Sequence, residues 1–127
     1  MTKKKILLID DETSITSLLR LNLEASGRFI VRAENQGAKG VETALAFRPD
    51  LILLDIMMPD MDGGDVAASI QSDPTMKATP IVFLTAAVRK EEVNRSDGVI
   101  GGFPYIAKPL SVRGVIAEID RHLGKQA

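Results

Sequence analysis

The chain contains no cysteine. That excludes disulfides, thiolate chemistry and cysteine-based zinc sites, and it is compatible with a reducing cytosol. Net charge is nearly absent as well: 16 basic and 17 acidic side chains leave −1 at pH 7. A chain so balanced has no global field to recruit nucleic acid or an anionic membrane. No apolar run approaches the ~20 residues of a membrane span. Lys3-Lys4-Lys5 precedes only a short apolar stretch before two aspartates, too little for a signal-peptide core. Linkers, repeats and low-complexity segments are also missing. The expectation is one cytoplasmic globular domain over residues 1–127, large enough to bury roughly two-thirds of its unfolded surface.

What the chain does have is a set of short apolar runs that each end in a chemically capable residue. Ile6-Leu7-Leu8-Ile9 stops at Asp10-Asp11, Leu51-Ile52-Leu53-Leu54 at Asp55, and Ile81-Val82-Phe83-Leu84 at Thr85. A weaker run, Tyr105-Ile106-Ala107, stops at Lys108-Pro109. Runs of this kind, separated by helix-length segments, read as buried parallel strands. In such sheets ligands bind at the carboxyl ends of the strands. Three carboxylates, a hydroxyl and an ammonium then converge on one edge, as a magnesium and phosphate site requires.

The segments between the runs read as helices. Ile15, Leu18, Leu19 and Leu23 follow helical spacing, with Asp11 or Thr13 as the expected cap and Gly27 as the stop. Phe29-Ile30-Val31 reads as a second strand. Residues 37–47 read as a helix stopped by Pro49. Val66, Ala67 and Ile70 mark the next helix, closed by Ser72-Asp73-Pro74, and Pro80 opens the fourth strand. The last helix has Ser111 as cap, Val112, Val115, Ile116, Ile119 and Leu123 as its apolar face, and Gly124 as its stop. Residues 89–104 fit poorly, with Asp97-Gly98, Gly101-Gly102 and Pro104; they predict a short helix followed by a mobile loop. The alternation predicts an α/β doubly wound parallel sheet with helices on both faces.

Each site residue has an ordinary reading when taken alone. Asp10-Asp11 would be a helix-capping pair, Asp55 a loop residue and Lys108 a surface lysine. Together they supply hard oxygen ligands for Mg2+, and the cation relieves the repulsion of crowded carboxylates. Glu12 reads as a first-turn acid favoured by the helix dipole. His122 reads as a solvent-facing residue on the last helical turn. Met58 belongs to the loop after Asp55, and Met57 and Met61 flank the site.

Asp10-Asp11, Asp55, Thr85 and Lys108-Pro109, with Met58-Pro59-Asp60-Met61-Asp62-Gly63 after the central acid, resemble the receiver domain of bacterial two-component response regulators. The resemblance covers nearly the whole chain. It implies a flavodoxin-like (CheY-like) three-layer sandwich of five parallel strands in the order 2-1-3-4-5. Asp55 would be the phosphoacceptor. Asp10, Asp11, Asp55 and the Met57 backbone carbonyl would serve Mg2+, and Lys108 and Thr85 would contact the phosphoryl group. Tyr105 would be the switch aromatic, half-buried in its plainer reading, and the Lys108-Pro109 peptide bond would be cis.

Such a protein is a stand-alone phosphorylation switch rather than an enzyme. It takes a phosphoryl group from a histidine kinase or histidine phosphotransfer protein. It then alters its surface around the fourth helix, fifth strand and last helix to change an unknown protein partner, without touching nucleic acid or membrane. The resemblance also implies that Met57 and Ala87 flank the path of the attacking water; both are apolar, so slow self-dephosphorylation is expected. Arg113, Glu118, Asp120 and Arg121 are available for cross-subunit pairs, so a monomer or a phosphorylation-linked homodimer is expected.

Competing readings are an aspartyl-phosphate phosphatase, a flavin carrier and a degenerate receiver used for docking. The phosphatase needs a second acid where Met57 stands. The flavin carrier needs a Ser/Thr/Gly-rich phosphate loop where Asp10-Asp11-Glu12 stands. The docking module is opposed by the intact acidic and basic positions.

Overall fold

The computed structural model describes residues 2–86, 99–100 and 102–124. Its elements are β1 (Lys4–Ile9), α1 (Thr13–Ala25), β2 (Phe29–Glu34), α2 (Gly37–Phe47), β3 (Leu51–Asp55), α3 (Gly63–Gln71), β4 (Ile81–Thr85), β5 (Val99–Ile100), β6 (Phe103–Ala107) and α4 (Val112–Leu123). A 3-10 turn at Pro74–Met76 follows α3.

All residues of β3 and β4 are buried, as are Ile6 to Ile9 of β1. A strand covered on both faces has no position to spare for a polar side chain, which is why these stretches read as unbroken apolar runs. Alternate residues serve opposite layers. Leu7, Ile9, Ile52, Leu54 and Phe83 pack against Val66, Ala67 and Ile70 of α3 and Ala44 of α2. Ile6, Leu8, Leu53, Val82 and Leu84 pack against Leu19 and Leu23 of α1 and Val115 and Ile119 of α4. The result is the three-layer sandwich that the alternation of runs predicts.

The sheet order is β2-β1-β3-β4-β6-β5. The first five of these strands are mutually parallel, which is the expected five-stranded order 2-1-3-4-5. The sixth strand is a correction to the sequence reading. β5 pairs antiparallel with β6, Ile100 opposite Phe103 and Val99 opposite Pro104, where a loop was expected. Gly102, at φ +86°, supplies a backbone conformation that L side chains rarely adopt, and so permits the turn between them. The helix expected over 90–95 and the second water-path residue, Ala87, lie outside the described residues.

Helix ends follow the sequence with one exception. Ser111 Oγ accepts from the Gly114 amide at 3.0 Å, and Gly27 and Gly124 take positive φ at the helix stops. For α1, neither Asp11 nor Thr13 caps. Glu12 holds the cap position and its side chain makes no capping bond. The Asp10 carboxylate instead accepts from the Glu12 amide at 2.9 Å, so an aspartate two residues before the cap position organises this start.

Packing corrects one expectation about α4 and gives intrachain partners to residues named in another. His122 is half-buried rather than solvent-facing, with Nε2 3.7 Å from Glu118 Oε1. Asp120 pairs with Arg28, and Glu118 pairs with Arg121 at 2.6 Å, so two of the acids offered for cross-subunit contacts are engaged within the chain.

Candidate metal and phosphoryl site

Strand register brings the site together. Ile9 lies opposite Leu54, Asp55 opposite Leu84, and Thr85 opposite Ala107. Asp10-Asp11, Asp55, Thr85 and Lys108 therefore emerge side by side at the carboxyl edge. Asp11, Asp55, Thr85 and Lys108 border a cleft of about 460 Å³ that also takes in Glu12, Met57 and Ala86, and Asp10 is buried next to it. The Lys108 amide donates to the Thr85 carbonyl at 2.8 Å, tying the lysine's loop to the end of β4. The Lys108–Pro109 peptide bond is cis, as expected.

Carboxylate oxygens of Asp10, Asp11 and Asp55 all lie within 4.8 Å of one another. Asp10, Asp55 and Thr85 are buried. Burial first, and then the charge of Asp10, push the Asp55 carboxyl up to about 7, against the opposing pull of Lys108. A cluster of hard oxygen donors carrying this unrelieved charge fits a divalent cation, and the three acids could hold a metal.

Lys108 is the counter-charge inside the cluster. Its Nζ lies 2.9 Å from Asp10 Oδ2, 3.1 Å from Glu12 Oε1 and 3.7 Å from Asp55 Oδ2. Burial alone would lower its pKa, yet hydrogen bonds to Asp10 and Glu12 hold the ammonium above the ordinary lysine value. Glu12 is thus a site residue that the sequence reading assigned to the helix dipole. Its contact crosses from the start of α1 to the end of β6, a pairing that sequence spacing does not encode.

The loop after Asp55 is anchored on both sides. Met58 is buried in the core and Met61 packs against the same cluster, whereas Met57 stands exposed beside the acids. The Met57 amide donates to Asp55 Oδ1 at 3.3 Å. The Gly63 amide donates to the Ile56 carbonyl at 2.7 Å, and a Cβ at Gly63 would sit 2.6 Å from the Asp55 carbonyl oxygen. Gly63→Ala must therefore push backbone against backbone. Urea denaturation is expected to show a loss of about 2 kcal/mol. An unchanged midpoint would mean that the loop yields freely.

Tyr105 is buried, with its ring in the core cluster shared with Phe83 and its hydroxyl without a hydrogen-bond partner among the described residues. Beside it a cleft of about 430 Å³ runs along Ala107, Gly114, Ala117 and Arg121.

A doubly wound α/β domain with acids, a threonine and a lysine on its carboxyl edge belongs to the flavodoxin-like class. Within it, the chain belongs to the response regulator receiver domain family, whose model matches residues 6–120. It is 45% identical over 116 residues to the transcriptional regulatory protein ResD of Bacillus subtilis, covering 91% of this chain and 46% of that protein. It is 40% identical over 117 residues to the alkaline phosphatase synthesis transcriptional regulatory protein PhoP of the same organism, covering 91% and 47%. The chain thus spans just under half the length of these relatives. Among solved structures, the chemotaxis protein CheY4 of Vibrio cholerae superposes with a TM-score of 0.82 at 26% identity, covering 94% of this chain and 98% of that one. No described helix is long and apolar enough to cross a membrane.

Proposed function

We propose that Asp55 is the phosphoacceptor of this receiver domain. The observation that carries the reading is the grouping of Asp10, Asp11 and Asp55 within 4.8 Å at the sheet edge. Lys108 Nζ stands 3.7 Å from Asp55 Oδ2.

In the transfer, a carboxylate oxygen of Asp55 attacks the phosphorus of a phosphohistidine on a kinase or phosphotransfer protein. The P–N bond breaks, the imidazole leaves with the electron pair and takes up a proton, and an aspartyl phosphate remains. Asp11, Asp55 and the Met57 carbonyl are the proposed ligands of Mg2+, with Asp10 beside them. When bound, the cation offsets the charge that the phosphoryl oxygens bring into the cleft. Lys108 is close enough to move from its carboxylate partners to a phosphoryl oxygen, as a point charge. Thr85 presents its hydroxyl from the end of β4 to another.

The output is a population shift. Thr85 and Tyr105 lie on neighbouring strands, so a change at the threonine reaches the tyrosine and the cleft along α4. That surface would then meet a protein partner in the cytoplasm. Exposed Met57 has no group to orient an attacking water, which supports slow self-dephosphorylation.

The test is intact mass after incubation with a small phosphodonor. A Mg2+-dependent gain of one phosphoryl group in wild type, absent in Asp55→Asn, is the expected result. A gain that survives the substitution would move the acceptor elsewhere, and no gain in a folded wild type would leave a docking module.

A further inference from the structure

The groups that would hold the metal come from two separate places: Asp10 and Asp11 follow β1, while Asp55 ends β3 and Met57 lies in the loop after it. The loops after β1 and β3 are both tied to a third, the short turn between β2 and α2. Asn35, which follows β2, donates through Nδ2 to the Asp10 carbonyl at 2.8 Å and to Thr16 Oγ1 at 3.0 Å. One side chain thus holds the main chain of Asp10 and the first turns of α1.

Two residues further on, the same turn is gripped from the other side. α2 has Gln36 at its cap position and no side-chain cap of its own. Its first amides are served by a residue distant in sequence: Gly37 donates to Asp60 Oδ1 at 3.0 Å and Ala38 to Asp60 Oδ2 at 3.2 Å. The amides of Gly37 and Ala38 hold the Asp60 carboxyl below its ordinary value, so the ionised form makes these bonds. The approach is close, since a Cβ on Gly37 would lie 2.8 Å from Met61 Cβ. Asp60 belongs to the loop that carries Met57 and follows Asp55.

From this geometry we infer that the Asn35–Ala38 turn is a crossbar fixing the spacing of the two metal-binding loops. Asn35 and Asp60 are its positioning residues for Mg2+, and neither touches the metal in this account. The physical reason is preorganisation: ligands carried by separate loops, Asp10-Asp11 on one and the Met57 carbonyl on the other, must be ordered when the cation arrives, whereas braced ones are already in place. The inference rests on the proposed Mg2+ site, and its test separates the two.

The Mg2+ dissociation constant would be measured calorimetrically on the unphosphorylated chain, with folding checked by circular dichroism. Asn35→Ala and Asp60→Ala are each expected to weaken binding about ten-fold. The double variant should be little worse than the weaker single one, because cutting either end already frees the crossbar. Two variants distinguish positioning from simple charge. Asp60→Asn removes the charge but keeps an acceptor oxygen, and should recover most of the affinity. Asn35→Asp adds a negative charge but loses the donor, and should still weaken binding. Ser111→Ala, which removes the cap of α4, is the control for lost stability and should leave the constant unchanged.

Affinities within two-fold of wild type in both alanine variants would overturn the crossbar while leaving the metal site intact. Equal weakening by Asp60→Ala and Asp60→Asn, with tighter binding by Asn35→Asp, would overturn it in favour of long-range charge. Absence of binding by wild type itself would overturn the magnesium reading and the crossbar with it.

Discussion

Asp55→Asn is expected to stabilise the metal-free protein at pH 8 by on the order of 2 kcal/mol while abolishing phosphoryl acceptance. Burial and the neighbouring Asp10 charge raise the Asp55 carboxyl to about 7 in the folded chain. In the unfolded chain it titrates near ~4. The folded state therefore binds this proton more tightly. Stability is greatest below the unfolded value and falls as pH rises from about 4 to about 7, after which the penalty is constant. Three pH units correspond to roughly 4 kcal/mol. That value already contains the attraction of Lys108; the net gain is smaller because the asparagine amide is itself a buried polar group whose donors face the Lys108 ammonium.

The measurement is urea denaturation in a chelating buffer at several pH values. Wild type should lose stability between pH 5 and 8 (values of the titration series), and the asparagine variant should lose much less. Mg2+ at pH 8 should stabilise wild type and leave the variant nearly unmoved. Parallel pH curves for the two proteins would show that Asp55 carries no such penalty.

Lys108→Met works in the opposite direction. Its ammonium is the only cation paired with the buried Asp10 carboxylate among the described residues, and it also faces Asp55. Removing one partner of a buried pair leaves an uncompensated charge, at a cost of about 3 kcal/mol. The loss should be largest at pH 8 in chelator. It should shrink under acid conditions, where the carboxylates protonate, and on addition of Mg2+, which replaces the missing positive charge. Phosphoryl transfer should slow even with saturating Mg2+, because the lysine contact to the transferred group is gone. Full stability at pH 8 without metal would mean that Asp10 finds another partner, and a normal transfer rate would remove Lys108 from the mechanism.

These two substitutions describe one design. Three acids held at a sheet edge are frustrated without a cation, and one lysine keeps the frustration tolerable. On the function proposed above, the chain carries in its resting state an electrostatic cost that a bound divalent ion would relieve.

Much of this was legible in the residue order. The runs ending at Asp10, Asp55 and Thr85 located three strands and their chemistry at once, because a doubly covered strand admits no internal polar residue. Gly27, Ser111 and Gly124 marked helix ends through local backbone rules. Glu12, Asn35 and Asp60 were not legible as site residues. Each acts across a gap between loops: Glu12 on Lys108, Asn35 on Asp10, Asp60 on the first amides of α2. Their local sequence looks like ordinary helix-start and turn chemistry. The half-burial of His122 and the pairing of Asp120 with Arg28, which lies between α1 and β2, were not legible either, since both come from how α4 packs in the fold.

Apolar periodicity and turn residues thus determined which stretches are strands, which are helices and which side chains stand at the strand ends; these are local properties of the chain. Only the tertiary structure decided how close the acids come, how far Asp55 is driven from its ordinary ionisation, and which distant residues brace the loops. Those quantities depend on distance and burial, and both are set when the sheet register and helix packing bring separate segments together.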